Sequence, residues 1–486
     1  MKKYFLAVAS FFIYSHISLG QVYPGQMDST FVPVRSHHYD PELTFDFCVN
    51  EPAWSNQAGI HSAFGSTDRL YFRKEVPVNH DNDLSSSYST TVWRGERANA
   101  QILVWSSEAL EQVRVSTQDL RSAEGNIIPK DRITFELVRY VLSNYPYAEK
   151  KAICGESPYK SGFLMPDRFE TLDRFDLPSQ TTRPVWMMVD VPRGTAPGTY
   201  KGKVEVRAKG KAPQLLNLEI VVQNQLLPYP KDWKYRLDLW QNPWAVAWYN
   251  HVEPWSPEHK MLLKQHLKHY ADAGGTYITT YGVHSPWSDN SYMIEGGMIE
   301  WIKKADGTWA FDYKIFDEYV ELAMECGIDE AITLYTPIPW GFRHRYKDEA
   351  TGDYSYINWA PSSEEFKKMW NIFLTDFKFH LEAKSWLDIT YIGINENPME
   401  ETLAAIHVVR NHDKCWKITY AGNWHKELDG LLDDYSFLYG EEPTITEQKA
   451  RTATGRTSTV YVCCNPPIRT TSCSHLLSRD VGSVGM

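Results

Sequence analysis

Cysteine is scarce in this chain, which has seven cysteines among 486 residues. The count is odd, and Cys463 and Cys464 are adjacent, so the sequence does not predict a disulfide framework. No Cys-x-x-Cys pair or close group of histidines has the spacing of metal ligands. We therefore expect no structural zinc site and no cofactor.

A surplus of basic residues is also missing. The chain has 50 Lys and Arg residues against 61 Asp and Glu residues, a net charge of −11, and the two signs are interspersed. Nucleic-acid-binding proteins usually carry a basic patch or stripe that contacts the phosphate backbone. The charge pattern therefore argues against nucleic acid as a partner.

Long apolar runs are confined to the amino terminus. The segment MKKYFLAVASFFIYSHISLGQ has two lysines, a short apolar run and two small residues, Ser18 and Gly20, before Gln21. This pattern is typical of a cleaved signal peptide, and the run is too short for a stable membrane span. We expect a signal peptide at residues 1–20, no membrane anchor, and an exported protein that is periplasmic or extracellular.

Aromatic residues, in contrast, are plentiful. They make up 14% of the chain, with 18 Trp and 29 Tyr. Such rings can stack on the faces of sugars, but large cores also contain many of them. Composition alone leaves both interpretations open.

The length of the chain predicts at least two domains. Between about residues 85 and 225, short alternating apolar runs are separated by Gly and Pro, which predicts an antiparallel β-sandwich that we assign to residues 21–229. A proline-containing linker lies near residue 230. Beyond it, apolar strands alternate with amphipathic helices, so we expect a (β/α) TIM-type barrel at residues 230–466.

Three helix starts can be predicted from capping residues. Ser256 precedes Pro257, a residue suited to the first helical position. A capping box is predicted between Ser362 and Glu365, and Asn397 is predicted to cap a helix that begins at Pro398.

The last residues do not continue the barrel pattern. Residues 467–486 are polar and lack strand or helix periodicity. Our hypothesis is that a frameshift produced this tail, in which case the barrel is truncated at its carboxyl end.

Two adjacent polar residues, Asn395 and Glu396, follow the apolar strand YIGI and precede a helix. Helix capping does not require them, and the carboxyl ends of barrel strands usually carry the catalytic groups. Glu396 could therefore serve as a general acid towards a glycosidic oxygen. The positive charge at the sugar could be stabilised by a second carboxylate or by the substrate's own 2-acetamido group, and both routes stay open.

Six ordered motifs between about residues 90 and 466 together resemble glycoside hydrolase family 123. The motifs are VWRGERANAQILVWSSEALEQVRVSTQDL, LDLWQNPWAVAWYN, TPIPWGF, YIGINENPMEE, AGNWHKEL and VYVCCNPP. This resemblance implies an exported bacterial β-N-acetylgalactosaminidase with an N-terminal sandwich and a (β/α)8 barrel. It also implies that Glu396 is the general acid/base and that residue 395 stabilises an oxazolinium intermediate. The family has Asp at that position, whereas this chain has Asn395.

The resemblance further implies a sugar-binding subsite built from residues at or just beyond predicted strand ends. These residues are Trp240, Gln241, Tyr281, Tyr335, Trp340, Asn423 and His425. Each also has a structural interpretation: the tryptophans as packing under loops, Tyr335 as a core residue, His425 as a cap neighbour. We expect Arg343 and His344 to lie in a solvated loop.

The sequence therefore predicts an exo-acting retaining glycoside hydrolase that removes terminal β-N-acetylgalactosamine by substrate-assisted catalysis. Its partner would be a glycan or glycoconjugate with a terminal N-acetylhexosamine. One alternative is a carbohydrate-binding pseudoenzyme weakened by Asn395 and by truncation. Another is a retaining glycosidase of the clan whose fourth strand ends in Asn-Glu-Pro, but the seventh predicted strand offers no nucleophilic Glu.

Overall fold

The computed structural model describes residues 27–28, 31–33, 42–43, 51–77, 84–143, 163–287, 296–440 and 442–461. The predicted signal peptide and the polar tail at residues 467–486 lie outside this part of the chain. By their internal contacts, the residues fall into two units, Met1–Leu227 and Pro228–Met486. Each unit is described by itself.

The first unit is rich in strands, and its described residues include one short α-helix, α1 (Glu51–Trp54). Its strands are β1 (Met27–Asp28), β2 (Phe31–Pro33), β3 (Glu42–Leu43), β4 (His61–Gly65), β5 (Ser87–Arg94), β6 (Arg97–Ser106), β7 (Leu110–Thr117), β8 (Leu120–Arg121), β9 (Ile127–Ile128), β10 (Ile133–Ser143), β11 (Phe163–Leu177), β12 (Thr181–Asp190), β13 (Gly198–Arg207) and β14 (Gln214–Leu226).

Twelve of these strands form one continuous sheet, whose main path is β4-β6-β12-β10-β11-β7-β13-β14-β5. Residues of β6 and β12 pair antiparallel across both strands, so that Ile102 lies opposite Val185 and Ala100 opposite Met187 in the core. One pair departs from the predicted antiparallel pattern, because β5 pairs with β14 in parallel. The long chain between β5 and β14 makes such a pairing possible.

The second unit combines strands with seven helices among its described residues. Its strands are β15 (Tyr277–Tyr281), β16 (Glu300–Lys303), β17 (Trp309–Asp312), β18 (Ala331–Tyr335), β19 (Arg343–Asp348), β20 (Tyr354–Asn358), β21 (Thr390–Ile394), β22 (Lys417–Gly422), β23 (Asp434–Leu438) and β24 (Thr457–Tyr461). Its helices are α2 (Pro243–Asn250), α3 (Pro257–Asp272), α4 (Lys314–Glu325), α5 (Glu364–Lys384), α6 (Met399–His412), α7 (Lys426–Asp429) and α8 (Ile445–Ala453).

Six strands of this unit form a parallel sheet in the order β15-β18-β21-β22-β23-β24, with at least one helix between each pair of neighbours. The motif LDLWQNPWAVAWYN is where the sequence predicts the first strand of the barrel. In the structure, its Leu237 forms only a single parallel bridge with Gly275. One face of this sheet belongs to the apolar core of the unit. It carries Ile332 of β18, Ile392 of β21 and Ile418 of β22. The opposite face of the sheet carries more polar residues, and it leads to the candidate site.

A second sheet, in the order β17-β16-β19-β20, was not expected from the sequence. It corrects the prediction that Arg343 and His344 form a solvated loop. His344 is only 2% exposed and packs against Trp301 and Trp359, and this burial lowers its pKa to about 4. The charged residues on alternate positions of β19 concealed the strand pattern.

The helix starts agree with the sequence in one case of three. The Ser256 hydroxyl accepts a hydrogen bond from the His259 amide at 3.2 Å, as predicted. Helix α5 is capped by Ser363, which bonds the Phe366 amide, and not by Ser362. Asn397 does not cap α6, because its side chain donates instead to the Ile338 carbonyl at 3.1 Å.

A membrane-spanning helix must be long and predominantly apolar. No helix in the described part of the chain is long and apolar enough to cross a bilayer.

Candidate active site

The end of β21 brings three positions to the polar face of the parallel sheet. Side chains alternate along a strand, so Tyr391, Gly393 and Asn395 share this face. Gly393 lies opposite Tyr335 of β18, and a Cβ atom at Gly393 would come within 2.9 Å of the Tyr335 ring. The missing side chain therefore leaves the space that the Tyr335 ring occupies.

Asn395 is buried, with only 2% of its surface exposed. Its Nδ2 donates to the Pro286 carbonyl at 3.4 Å. Its Oδ1 is buried and has no hydrogen-bond partner among the described residues. A buried acceptor without a donor costs roughly 1–3 kcal/mol, so this atom is suited to receive a donor from a ligand.

Glu396, the next residue, is exposed. Its Oε1 accepts a hydrogen bond of 2.6 Å from the hydroxyl of Tyr461, the last residue of β24. Burial, together with the negative charge of Glu396, raises the pKa of Tyr420 to about 12. The acidic side chain is therefore flanked by residues of β22 and β24 from the same sheet.

Three aromatic rings form a contact cluster near these residues. Trp240 stacks on Trp287 with ring centroids 5.4 Å apart, and both rings approach Tyr335, at 4.9 Å and 5.1 Å. Trp240 keeps 48% of its surface exposed, whereas Tyr335 is buried, which raises its pKa well above the ordinary value. The aromatic cluster (Trp240, Trp287 and Tyr335) therefore combines an accessible ring with a protonated hydroxyl.

Gln241 and Tyr281 fix the chain that carries Trp240. Gln241 Oε1 accepts from the Thr279 amide at 3.0 Å, and the Tyr281 hydroxyl donates to the Gln241 carbonyl at 3.2 Å. The Gln241 side chain also makes a hydrogen bond to the Tyr270 hydroxyl. The side chain and backbone of Gln241 are therefore both held by neighbouring residues.

Pro286 links the aromatic cluster to Asn395. Its carbonyl accepts both the Asn395 amide and the backbone N–H of Trp340, the latter at 2.9 Å. Trp287 follows directly in the chain and belongs to the aromatic cluster. The structure thus places Asn395, Trp340 and Trp287 around one short loop.

Asn423 and His425 are held through their backbones. The Tyr435 hydroxyl donates to the Asn423 carbonyl at 2.5 Å and accepts from the His425 amide at 2.9 Å. Within the described residues, no hydrogen bond or ring contact joins their side chains to Asn395 or Glu396. They lie beyond the end of β22, but the structure does not connect them to the other candidates.

Trp287, Tyr420 and Tyr461 were missed by the sequence analysis. Tyr461 ends the strand β24, and its place at a strand end could have identified it by the same reasoning that identified Tyr281 and Tyr335. Trp287 lies six residues beyond Tyr281, where no strand pattern points to it. Among the described residues, no group of three or more His, Cys, Asp or Glu side chains is arranged to hold a metal ion.

Comparison with known families decides the class of this site. Residues 240–480 match the catalytic domain of glycoside hydrolase 123, and residues 64–208 match the N-terminal domain of the same family. The chain belongs to glycoside hydrolase family 123. It is therefore a glycoside hydrolase by family, and the candidate site lies within the matched catalytic domain.

One solved structure is consistent with this assignment. The chain is similar to a family 123 glycoside hydrolase from Clostridium perfringens described for glycolipid glycan hydrolysis, with 25% identity and a TM-score of 0.74. The match covers 84% of this chain and 72% of the other. A family 39 glycoside hydrolase from Bacteroides cellulosilyticus WH2 matches at 12% identity and a TM-score of 0.25, covering 67% and 56%. The comparison with curated proteins gives no match.

Proposed function

We propose that this family 123 protein is an exo-acting retaining hydrolase that removes terminal β-N-acetylgalactosamine, with the substrate's 2-acetamido oxygen as nucleophile. One observation carries the proposal: Asn395 Oδ1, a buried acceptor with no hydrogen-bond partner among the described residues, lies next in sequence to an exposed carboxyl group, Glu396. The acceptor suits the N–H of an acetamido group. The carboxyl group suits the glycosidic oxygen.

In the first step, Glu396 gives its proton to the glycosidic oxygen and the bond from that oxygen to C1 breaks. The acetamido oxygen bonds to C1, which forms an oxazolinium ring. Asn395 Oδ1 accepts the acetamido N–H and so orients the oxygen towards C1. The aromatic cluster supplies an apolar wall, and the Tyr335 hydroxyl is protonated and able to donate to the substrate.

In the second step, a water molecule attacks C1, and the bond from C1 to the acetamido oxygen breaks. The Glu396 carboxylate takes the proton of the water, which returns the acid to its starting state. Two displacements at C1 leave the anomeric configuration unchanged. No second carboxylate is needed, because the nucleophile belongs to the substrate.

The wider setting follows from the same proposal. We propose that the parallel sheet belongs to a (β/α)8 barrel that follows an N-terminal β-sandwich, and that the protein is exported to the periplasm or cell exterior. The parallel bridge of Leu237 next to β15 supports a further strand at that edge. The similarity to an enzyme described for glycolipid glycan hydrolysis supports a glycoconjugate substrate.

A substrate series tests this function. The 4-nitrophenyl β-glycosides of N-acetylgalactosamine, N-trifluoroacetylgalactosamine and galactose differ only at position 2, and we expect their rates to fall in that order. Fluorine withdraws electron density from the acetamido oxygen, and galactose has no such oxygen. Equal rates for N-acetylgalactosamine and galactose would exclude substrate assistance.

A second candidate function is sugar binding without turnover. The observation that favours it is Asn395 itself, because an amide supplies no negative charge to the oxazolinium ring. Saturable binding of N-acetylgalactosamine together with no release of 4-nitrophenol would support this pseudoenzyme. The Asn-Glu-Pro clan is less well supported, since β24 carries no carboxylate among Thr457–Tyr461 and instead places Tyr461 at Glu396.

A further inference from the structure

Glu396 has an exposed side chain on the short segment between β21 and α6. Its described hydrogen bond is the one from Tyr461, at 2.6 Å. A freely rotating glutamate loses up to about 2 kcal/mol of rotamer freedom when it is fixed in one orientation. A hydrogen bond made before substrate binds would remove part of this cost from the reaction.

The contact spans an unusual distance in the fold. Strands β22 and β23 lie between β21 and β24, so a flat sheet would separate β21 from β24 by roughly 14 Å. The two long side chains therefore bridge strands that are not neighbours in the sheet. The backbone of Tyr461 is fixed by the neighbouring strand β23. Tyr461 pairs with Leu438, and its carbonyl accepts a hydrogen bond from the Tyr439 amide at 2.9 Å.

We propose that Tyr461 is the positioning residue of the acid/base: it binds Oε1 of Glu396 and leaves Oε2 to exchange the proton with the substrate. This inference rests on the proposed function. The hydroxyl donates to Oε1, so the proton of the neutral acid sits on Oε2, where the glycosidic oxygen receives it. After transfer, the same bond stabilises the carboxylate that later takes the proton of water.

The leaving group gives a readout that a merely structural role would not move. A 2,4-dinitrophenolate leaves without protonation, whereas methanol must receive a proton as it leaves. We expect Tyr461→Phe to lower kcat/KM, which reports the step in which the leaving group departs, about 10-fold or more for the methyl β-N-acetylgalactosaminide and less than about 3-fold for the dinitrophenyl glycoside. KM should change little with either substrate.

Tyr439→Phe is the matched control. Tyr439 follows β23 on the face of the sheet opposite to Leu438, and its hydroxyl has no hydrogen bond within the described residues. This variant should behave like the parent with both substrates. Melting curves of both variants check that each is folded, and general damage to the site would lower the two rates equally.

Three outcomes separate the claims. A selective loss with the methyl glycoside in Tyr461→Phe supports the inference. The inference is overturned if Tyr461→Phe has the same rates as Tyr439→Phe, or if it loses activity equally with both substrates. This holds even when Glu396→Gln is inactive on the methyl glycoside. Full activity of Glu396→Gln on that substrate would instead remove the proposed function itself. If the parent enzyme is slow, the same comparison in the Asn395→Asp background decides between these outcomes.

Discussion

Asn395 and Glu396 are neighbours in the chain, but Asn395 is 2% exposed whereas Glu396 is open to solvent. The amide is tied to the Pro286 carbonyl, and the carboxyl group is held by Tyr461 from β24. Substrate-assisted hydrolysis requires both a buried acceptor that orients the acetamido group and an accessible proton donor for the glycosidic oxygen. Substitutions at Asn395 and at Glu396 can therefore be expected to have different effects.

Asn395→Asp should raise the turnover of a β-N-acetylgalactosaminide by about 10-fold. A carboxylate beside the oxazolinium ring adds electrostatic stabilisation that the amide lacks, and each 1.4 kcal/mol corresponds to a factor of ten. The affinity for a thiazoline mimic of the intermediate should rise in parallel. Stability should fall, because the carboxylate cannot donate to the Pro286 carbonyl.

Asn397→Asp provides the control for this comparison. Its Nδ2 likewise donates to a carbonyl, that of Ile338, at 3.1 Å. It should lose stability without gaining rate. If Asn395→Asp instead abolishes an existing activity, the site is tuned around the amide, and the interpretation of a weakened Asp-Glu pair is wrong.

Trp240→Ala should raise KM by about an order of magnitude with a smaller change in kcat. The exposed face of this ring can stack on the sugar, and such aromatic contacts contribute on the order of 1 kcal/mol. Trp248, which is 62% exposed on α2, provides a matched control as Trp248→Ala. Steady-state kinetics of both variants will show the difference, and an equal effect on KM would remove Trp240 from the binding site.

The pH dependence of stability should report on Asp434. Burial raises its pKa to about 6, although Arg236 and Arg451 act in the opposite direction. Because the folded state binds this proton more tightly than the unfolded chain does, stability should decrease as the pH rises from about 4 through 6. Above that range the contribution should be constant.

Asp434→Asn should remove this part of the pH dependence. The variant should melt higher than the parent at pH 8 and close to it at pH 4, with a difference of up to a few kcal/mol at the higher pH. Asp388→Asn, at an exposed position, serves as the control. Parallel melting curves for Asp434→Asn and the parent from pH 4 to 8 would contradict the assignment.

Local patterns in the sequence predict part of this structure well. The strand that ends before Asn395 and the cap at Ser256 both follow from short-range periodicity and capping chemistry. The sheet containing β19 does not, because its charged outer residues interrupt the apolar pattern and its pairing depends on distant strands. The same limit applies to the site, since the contact of Tyr461 with Glu396 joins residues 65 positions apart on strands that are not neighbours in the sheet.

The role of Glu396 as acid/base is the central claim, and the kinetics of Glu396→Gln test it most directly. Glu400→Gln, an exposed position in the first turn of α6, is the matched control. With methyl β-N-acetylgalactosaminide, Glu396→Gln should retain the parent's melting temperature and lose at least about 100-fold in kcat, whereas Glu400→Gln should keep the parent's rate. Hydrolysis by a folded Glu396→Gln variant at the parent's rate would contradict the account.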